Sequence, residues 1–118
     1  MTLNHVHFGT MNIAVFEQFY SRYFGFKRKF EEGNTLFLED SKGFLIAVDP
    51  VKELPVLPEW YHLGFCQKDE KKVFQLYEQM KQNKENIVRD MMSSEGRFAS
   101  YFVKDPDGNK LEISWHAE

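Results

Sequence analysis

The stretch Phe102-Val-Lys-Asp-Pro-Asp-Gly-Asn-Lys-Leu-Glu-Ile-Ser114 determines how the chain is expected to fold. Its centre, Asp105-Pro-Asp-Gly108, is typical of a tight turn between antiparallel strands, because proline fixes φ and glycine permits a positive φ. Apolar and polar residues alternate on both sides of the turn, which predicts strands over 98–104 and 109–115. Asp40-Ser-Lys-Gly43 occupies the corresponding place in the first half of the chain. The same hairpin signal therefore occurs twice.

The two halves of the chain carry a weak internal repeat on either side of a proline-rich connector. Three of the four prolines lie over 50–58, where they resist both helix and central strand. Sliding the second half back by 57 positions lays His62 on His5. We therefore expect one domain built from two modules: 1–118 overall, with module 1 over about 3–49 and module 2 over about 60–116.

Each module is predicted to have one helix and four strands. Both modules open with an alternating strand, over 3–9 and 60–66, and continue with apolar residues at helical spacing. Gly25 is a plausible stop for the first helix. The remaining predicted strands, besides the two that flank the Asp105 turn, are 26–31, 34–39, 43–49 and 86–90. The pattern predicts an α+β fold of two βαβββ modules.

Composition excludes several classes of partner. The chain has 118 residues, and 15 Lys and Arg against 18 Asp and Glu give a net charge of −3. This balance supplies no basic surface for nucleic acid or anionic lipid, and no apolar run is long enough to span a membrane. A single cysteine, Cys66, cannot form an internal disulfide. We expect a cytoplasmic protein that binds neither nucleic acid nor membrane.

Three polar side chains lie on the first, fifth and last predicted strands, each on the face opposite the apolar residues. Side chains alternate between strand faces, so each strand has an apolar face that we expect to pack under a helix. The opposite faces hold His5, His62 and Glu112. Imidazole nitrogen and carboxylate oxygen bind divalent metals, and three protein ligands leave positions open, as in catalytic sites. Spacing alone leaves metal ligands and ordinary solvated or packed side chains as alternatives.

Four motifs in this order resemble those of the vicinal oxygen chelate superfamily, which contains glyoxalase, bleomycin-resistance, fosfomycin-resistance and extradiol dioxygenase proteins. They are LNHVHF, FEQFYSRYFGFK, YHLGF and FVKDPDGNKLEIS, of which the last is the most specific. The resemblance covers nearly the whole chain. It implies curved, half-barrel-like mixed sheets with the helices on their outer face, commonly within a homodimer.

The resemblance also implies a metal site and a class of activity. His5, His62 and Glu112 match the family's ligands for one divalent ion, with zinc, manganese, nickel and iron as the alternatives. The implied function is a metal-dependent enzyme acting on a small oxygenated molecule, as a thiol transferase, a lyase or a dioxygenase with the metal as Lewis acid. The alternative is a non-catalytic protein that sequesters a small drug-like molecule. Such relatives usually lack these ligands, which favours the enzyme.

The first module departs from glyoxalase-like relatives, which carry a fourth ligand late in its last strand. Aligning the two turns places Ala47 opposite Glu112, so this carboxylate is missing. Asp49 lies two residues further on with the same parity, and both an inward-reaching and a solvated side chain remain open. A reaction that uses the fourth carboxylate as a base is disfavoured.

Five further residues are candidates for the site: His7 and Tyr101 as catalytic groups, and Ser94, Arg97 and Phe102 as substrate-binding groups. His7 shares the parity of His5 and is suited to proton transfer. Tyr101 and Phe102 are alternatives, because the turn length decides which of them faces the last strand's carboxylate. The serine-rich segment around Ser94 resembles one that fosfomycin thiol transferases place near their substrate, and Arg97 offers N–H donors to an anionic group.

Overall fold

The computed structural model describes all 118 residues, which form two compact units, Met1–Val56 and Leu57–Glu118. Each unit has one helix and four strands in the order β-α-β-β-β. The predicted α+β fold of two βαβββ modules is therefore confirmed. Each unit forms a four-stranded mixed sheet that does not close on itself.

The first unit contains five elements: β1 (His5–Thr10), α1 (Ile13–Phe24), β2 (Lys27–Glu32), β3 (Thr35–Glu39) and β4 (Leu45–Pro50). The sheet order is β1-β4-β3-β2, and only the β1–β4 pair is parallel. Helix α1 begins after Asn12, whose side chain accepts a hydrogen bond from the Val15 amide, and it ends at Gly25, whose φ of 72° few other residues adopt. These caps explain the helix bounds that the sequence indicates.

The core of the first unit lies between α1 and one face of its sheet. The helix buries an aromatic stripe at helical spacing, and the strands bury alternate aliphatic residues. These side chains are Phe16, Phe19, Tyr20, Tyr23, Leu36, Leu38, Ile46 and Val48. The other face of this sheet has no helix on it and carries the side chains of opposite parity, including His5 and His7.

The second unit repeats the arrangement with β5 (Leu63–Cys66), α2 (Glu70–Gln82), β6 (Asn86–Ser94), β7 (Phe98–Lys104) and β8 (Lys110–His116). Its sheet order is β5-β8-β7-β6, with β5–β8 as the parallel pair. The side chains buried between α2 and this sheet are Val73, Leu76, Tyr77, Met80, Ala99, Tyr101, Val103, Leu111 and Ile113. Glu112 belongs to the opposite, helix-free face.

Two strands of the second unit differ in length from the sequence prediction. β5 begins at Leu63 rather than residue 60, because the Tyr61 amide donates to the carbonyl of Pro58 in a turn. β6 runs to Ser94 rather than residue 90, and its register with β7 shifts twice, on either side of Arg89. Such bulges let a strand continue while its side chains change face. Neither helix has the length and apolar character needed to cross a bilayer.

Candidate functional site

A row of four residues crosses the helix-free face of the second sheet, one from each strand. Backbone pairing places Arg89 of β6 beside Phe102 of β7, Phe102 beside Glu112 of β8, and Glu112 beside Gly64 of β5. A Cβ atom added to Gly64 would meet no other atom within 4 Å. The carboxylate of Glu112 therefore has open space on its β5 side.

His62 lies just before β5 and points one ring nitrogen at Glu112. Its Nδ1 is 2.9 Å from the carbonyl oxygen of Trp60, and because a carbonyl only accepts, Nδ1 carries the proton and donates. The Nε2 atom of the neutral ring then holds a lone pair, and it lies 3.5 Å from Glu112 Oε1. The His62 and Phe102 rings meet in an edge-to-face arrangement with centroids 5.0 Å apart. The tautomer and the orientation of His62 are thus both held.

The separation of these two atoms suits a shared cation. Ligand atoms about 2.1 Å from one metal at a tetrahedral angle lie about 3.4 Å apart, and the observed separation is 3.5 Å. A backbone carbonyl that fixes the second imidazole nitrogen is also the usual support of a metal-bound histidine. His62 and Glu112 therefore fit two positions of a divalent metal site.

His5 of the first unit has the same free nitrogen. Asn4 Oδ1 lies 2.7 Å from His5 Nδ1 and accepts a hydrogen bond from it, which leaves a lone pair on Nε2 of the neutral ring. His5 lies in β1 on the helix-free face of that unit. Within either unit alone, no three histidine, cysteine, aspartate or glutamate side chains converge as a complete metal-binding set.

His7 and Asp49 form a pair on the same face of the first unit. His7 Nε2 donates to Asp49 Oδ2 at 2.8 Å, and Thr35 Oγ1 donates to Asp49 Oδ1. The hydrogen bond from Thr35, and after it the bond from His7, lowers the pKa of the Asp49 carboxyl below its ordinary value. Asp49 is therefore occupied by these two partners, and His7 keeps Nδ1 free. The residue beside His7 on β4 is Ala47.

The length of the turn after β7 determines whether Tyr101 or Phe102 faces Glu112. Asp105 and Asn109 are joined by a backbone hydrogen bond, so three residues form the turn and Phe102 pairs with Glu112. Tyr101 points to the other face, where it has no exposed surface, and its hydroxyl donates to Met80 Sδ at 3.4 Å. The catalytic role expected for Tyr101 does not agree with this burial under α2.

Ser94 and Arg97 lie at the far end of the second sheet from His62 and Glu112. Both belong to the β6–β7 turn, which is closed by a bond from the Arg97 amide to the Ser94 carbonyl. Phe98, where β7 starts, precedes Phe102 by four residues, or about 13 Å of strand. The structure places Phe102, and not Ser94 or Arg97, beside the histidine–carboxylate pair.

The helix-free face of the second sheet, here called the functional face because it carries the His62–Glu112 pair, also contains Arg89 and Lys110, which the sequence analysis did not single out. Arg89 Nη2 donates to Ser100 Oγ at 2.8 Å and lies 4.0 Å from Glu112 Oε2. Plain alternation would put Arg89 on the core face with Ile87, but the register shift between them turns Arg89 outward. A bulge of this kind leaves no clear signal in a single sequence.

The sequence matches the profile of the Glyoxalase/Bleomycin resistance protein/Dioxygenase superfamily over residues 2–113, nearly the whole chain. The chain belongs to this superfamily. Superfamily members commonly use a divalent metal, act on small molecules and are often dimeric. No curated protein sequence matches the chain significantly.

Solved structures with the superfamily fold resemble the chain at low sequence identity. A possible glyoxalase from Bacillus cereus is 22% identical with a TM-score of 0.79, covering 96% of this chain and 97% of the other. The fosfomycin resistance protein FosX from Listeria monocytogenes is 15% identical with a TM-score of 0.84, covering 99% and 94%. A glyoxalase-related enzyme from Fulvimarina pelagi is 21% identical with a TM-score of 0.75, covering 98% and 88%. At these identities the likeness concerns the fold alone.

Proposed function

We propose that the protein is a metal-dependent enzyme that acts on a small oxygenated molecule, with His5, His62 and Glu112 as ligands of one divalent ion. The observation that most supports this proposal is the His62–Glu112 pair, in which a lone-pair nitrogen and a carboxylate oxygen lie 3.5 Å apart on an open sheet face. His5 has an equally free Nε2, because Asn4 holds its other nitrogen. Two imidazoles and a carboxylate suit zinc, manganese, nickel or iron.

The residues around the pair would keep its geometry ready for the metal. The Trp60 carbonyl fixes the tautomer of His62, and the Phe102 ring packs against the imidazole and limits its rotation. Arg89 lies near the other carboxylate oxygen of Glu112, Oε2, and its charge favours the ionised carboxylate in this position. The bound metal would polarise an oxygen atom of the substrate as a Lewis acid. Such preorganisation spares the ligands a costly rearrangement on binding.

His7 is the proposed proton-transfer group. Asp49 accepts from its Nε2 and is itself held by Thr35, so the imidazole is fixed in one tautomer with Nδ1 free to take a proton. Asp49 would also stabilise the resulting cation. The β4 position beside His7 is Ala47, so no carboxylate stands there to act as base. This arrangement favours thiol transfer, lyase or dioxygenase chemistry over glyoxalase-type proton abstraction by a metal-bound glutamate.

Membership in a superfamily whose proteins are often dimeric also leads us to propose a homodimer, which sedimentation equilibrium would reveal as twice the mass of the chain. His5 could then join His62 and Glu112 from its own chain or from the partner. Mixing His5→Gln and Glu112→Gln proteins tests this point. Recovery of metal binding in the mixture indicates ligands from two chains, whereas no recovery indicates ligands from one.

Elemental analysis of protein purified without added metal tests the proposal. We expect wild type to retain a divalent metal, Glu112→Gln and His62→Gln to lose it, and Glu78→Gln, which changes an exposed carboxylate on α2, to retain it. A metal-free wild type that also fails to bind added zinc, manganese, nickel or iron would contradict the proposal and favour a sequestering protein. Assays of thiol addition to an epoxide and of catechol cleavage then separate the reaction classes.

A further inference from the structure

Two cationic side chains lie against the same aromatic ring on the functional face of the second unit. The guanidinium carbon of Arg89 is 4.6 Å from the centroid of the Phe102 ring, and Lys110 Nζ is 5.0 Å from it. Arg89 approaches from β6 and Lys110 from β8, the strands on either side of β7. The ring attracts each cation. Because both lie within 5.0 Å of its centroid, their like charges are less than about 10 Å apart and repel each other.

No carboxylate forms a hydrogen bond with either cation. Arg89 donates to Ser100 Oγ and to the carbonyls of Asp90 and Ser100, and Lys110 donates to the carbonyl of Glu59. All of these acceptors are neutral. The carboxylate nearest to Arg89 is Glu112, at 4.0 Å, which is beyond hydrogen-bonding distance. The positive charge of the two side chains is therefore only partly balanced.

We propose that Arg89 and Lys110, with the Ser100 hydroxyl, form a subsite for a small oxyanion, a carboxylate or phosphate group of the substrate. The planar guanidinium offers paired N–H donors that match the two oxygens of such a group, and the ammonium adds a point charge. Ser100 Oγ accepts from Arg89, so its own proton is left to donate. The half-buried setting, with the Arg89 side chain 30% exposed, screens these charges less than open solvent would.

This subsite deepens the proposed function, because it names the class of substrate that the histidine–carboxylate pair would receive. Glu112 connects the anion subsite with the proposed metal site, because it is a proposed metal ligand and also the carboxylate nearest to Arg89. In metal-free protein its carboxylate lies beside Arg89 and competes with an incoming anion. Neutralising Glu112, by a divalent cation or by substitution, removes this competition. Anion and metal should therefore strengthen each other's binding, as thermodynamic linkage requires.

Binding of inorganic phosphate and of acetate to metal-free protein tests the subsite separately from the metal. Titrations followed by NMR on chelator-treated protein report which backbone amides respond. We expect both probes, or one of them, to shift residues around Arg89, Phe102 and Lys110. The stronger probe identifies whether phosphate or carboxylate is the preferred group.

Four variants test the subsite through their affinity for these anions. Arg89→Gln should weaken anion binding at least about tenfold, and Arg89→Lys should weaken it less. Glu112→Gln should strengthen it, although the same substitution is expected to abolish metal binding. Arg22→Gln, an equal charge change on the exposed surface of α1, should leave it unchanged. Circular dichroism of each variant confirms that it is folded.

Two results would overturn the subsite. One is wild-type anion affinity in folded Arg89→Gln, and the other is shifts confined to residues away from the β6–β8 face. Retention of metal by Arg89→Gln keeps this outcome distinct from failure of the proposed function. Conversely, a protein that binds phosphate or acetate through Arg89 but never binds metal supports the subsite and contradicts the metal proposal.

Discussion

Replacing Ile113 with alanine should destabilise the protein far more than replacing its neighbour Glu112 with alanine. Ile113 has no exposed surface and lies in the core on the α2 side of the second sheet. The Glu112 side chain points to the opposite face, is 28% exposed, and has His62 at 3.5 Å and Arg89 at 4.0 Å as its charged neighbours. These adjacent residues therefore lie on opposite faces of β8, Ile113 in the core and Glu112 on the helix-free face.

The size of the difference follows from burial. Ile113→Ala removes three carbon atoms from a close-packed core, which costs about 2.4 kcal/mol in lost transfer free energy. The cavity left behind adds to this, and measured isoleucine to alanine losses of about 2–5 kcal/mol set the range. Glu112→Ala removes a partly exposed carboxylate whose nearest charged or ionisable neighbour is His62 Nε2, 3.5 Å from Oε1. Its loss should cost below about 1 kcal/mol in metal-free protein.

Urea unfolding of the two variants and wild type, in the presence of a chelator, measures both free energies. The midpoint should fall strongly for Ile113→Ala and little for Glu112→Ala, with the dependence on urea concentration unchanged. A loss above about 2 kcal/mol for Glu112→Ala would show that this carboxylate supports the fold. Glu112 would then be a structural residue rather than one placed on this face for function.

Three further substitutions test individual contacts. Gly25→Ala should cost about 1 kcal/mol of stability, because alanine is strained at a φ of 72° although its Cβ would meet no atom within 4 Å; an unchanged urea midpoint contradicts this. Arg28 holds the pKa of Glu17 below its ordinary value. The ion pair's contribution to the free energy of unfolding is therefore present above the unfolded-state pKa and is lost as pH falls through the lowered folded-state pKa. Glu17→Gln should then lower the urea midpoint near neutral pH but not in acid, and an equal loss at both contradicts the ion pair. Tyr101→Phe should cost below about 1.5 kcal/mol and leave metal content unchanged; loss of metal would return Tyr101 to the site.

The fold is predictable because apolar and polar residues alternate along the strands. Ile113 and Glu112 illustrate it, because burial on one side of a sheet forces apolar residues to recur at every second position. The duplicated turns, Asp40-Ser-Lys-Gly43 and Asp105-Pro-Asp-Gly108, then indicated where strands pair. Periodicity and turn chemistry are local properties, so a single sequence carries them.

Other features of the site depend on geometry that alternation does not encode. The outward position of Arg89 results from a bulge in β6, and the choice of Phe102 over Tyr101 results from a three-residue turn. The free Nε2 of His62 depends on the carbonyl of Trp60, a backbone atom common to every residue type. Backbone irregularities of this kind become visible only in three dimensions.

The most direct test of the metal proposal is the nitrogen-15 NMR spectrum of the histidine rings during titration with zinc. We predict that the Nε2 resonances of His62 and His5 move from that of a free lone pair to that of a metal-bound nitrogen, while their Nδ1 atoms stay protonated. In Glu112→Gln the same additions should leave both rings unchanged. Zinc that binds through Nδ1, or that leaves His62 unaffected in wild type, would contradict the proposed metal site.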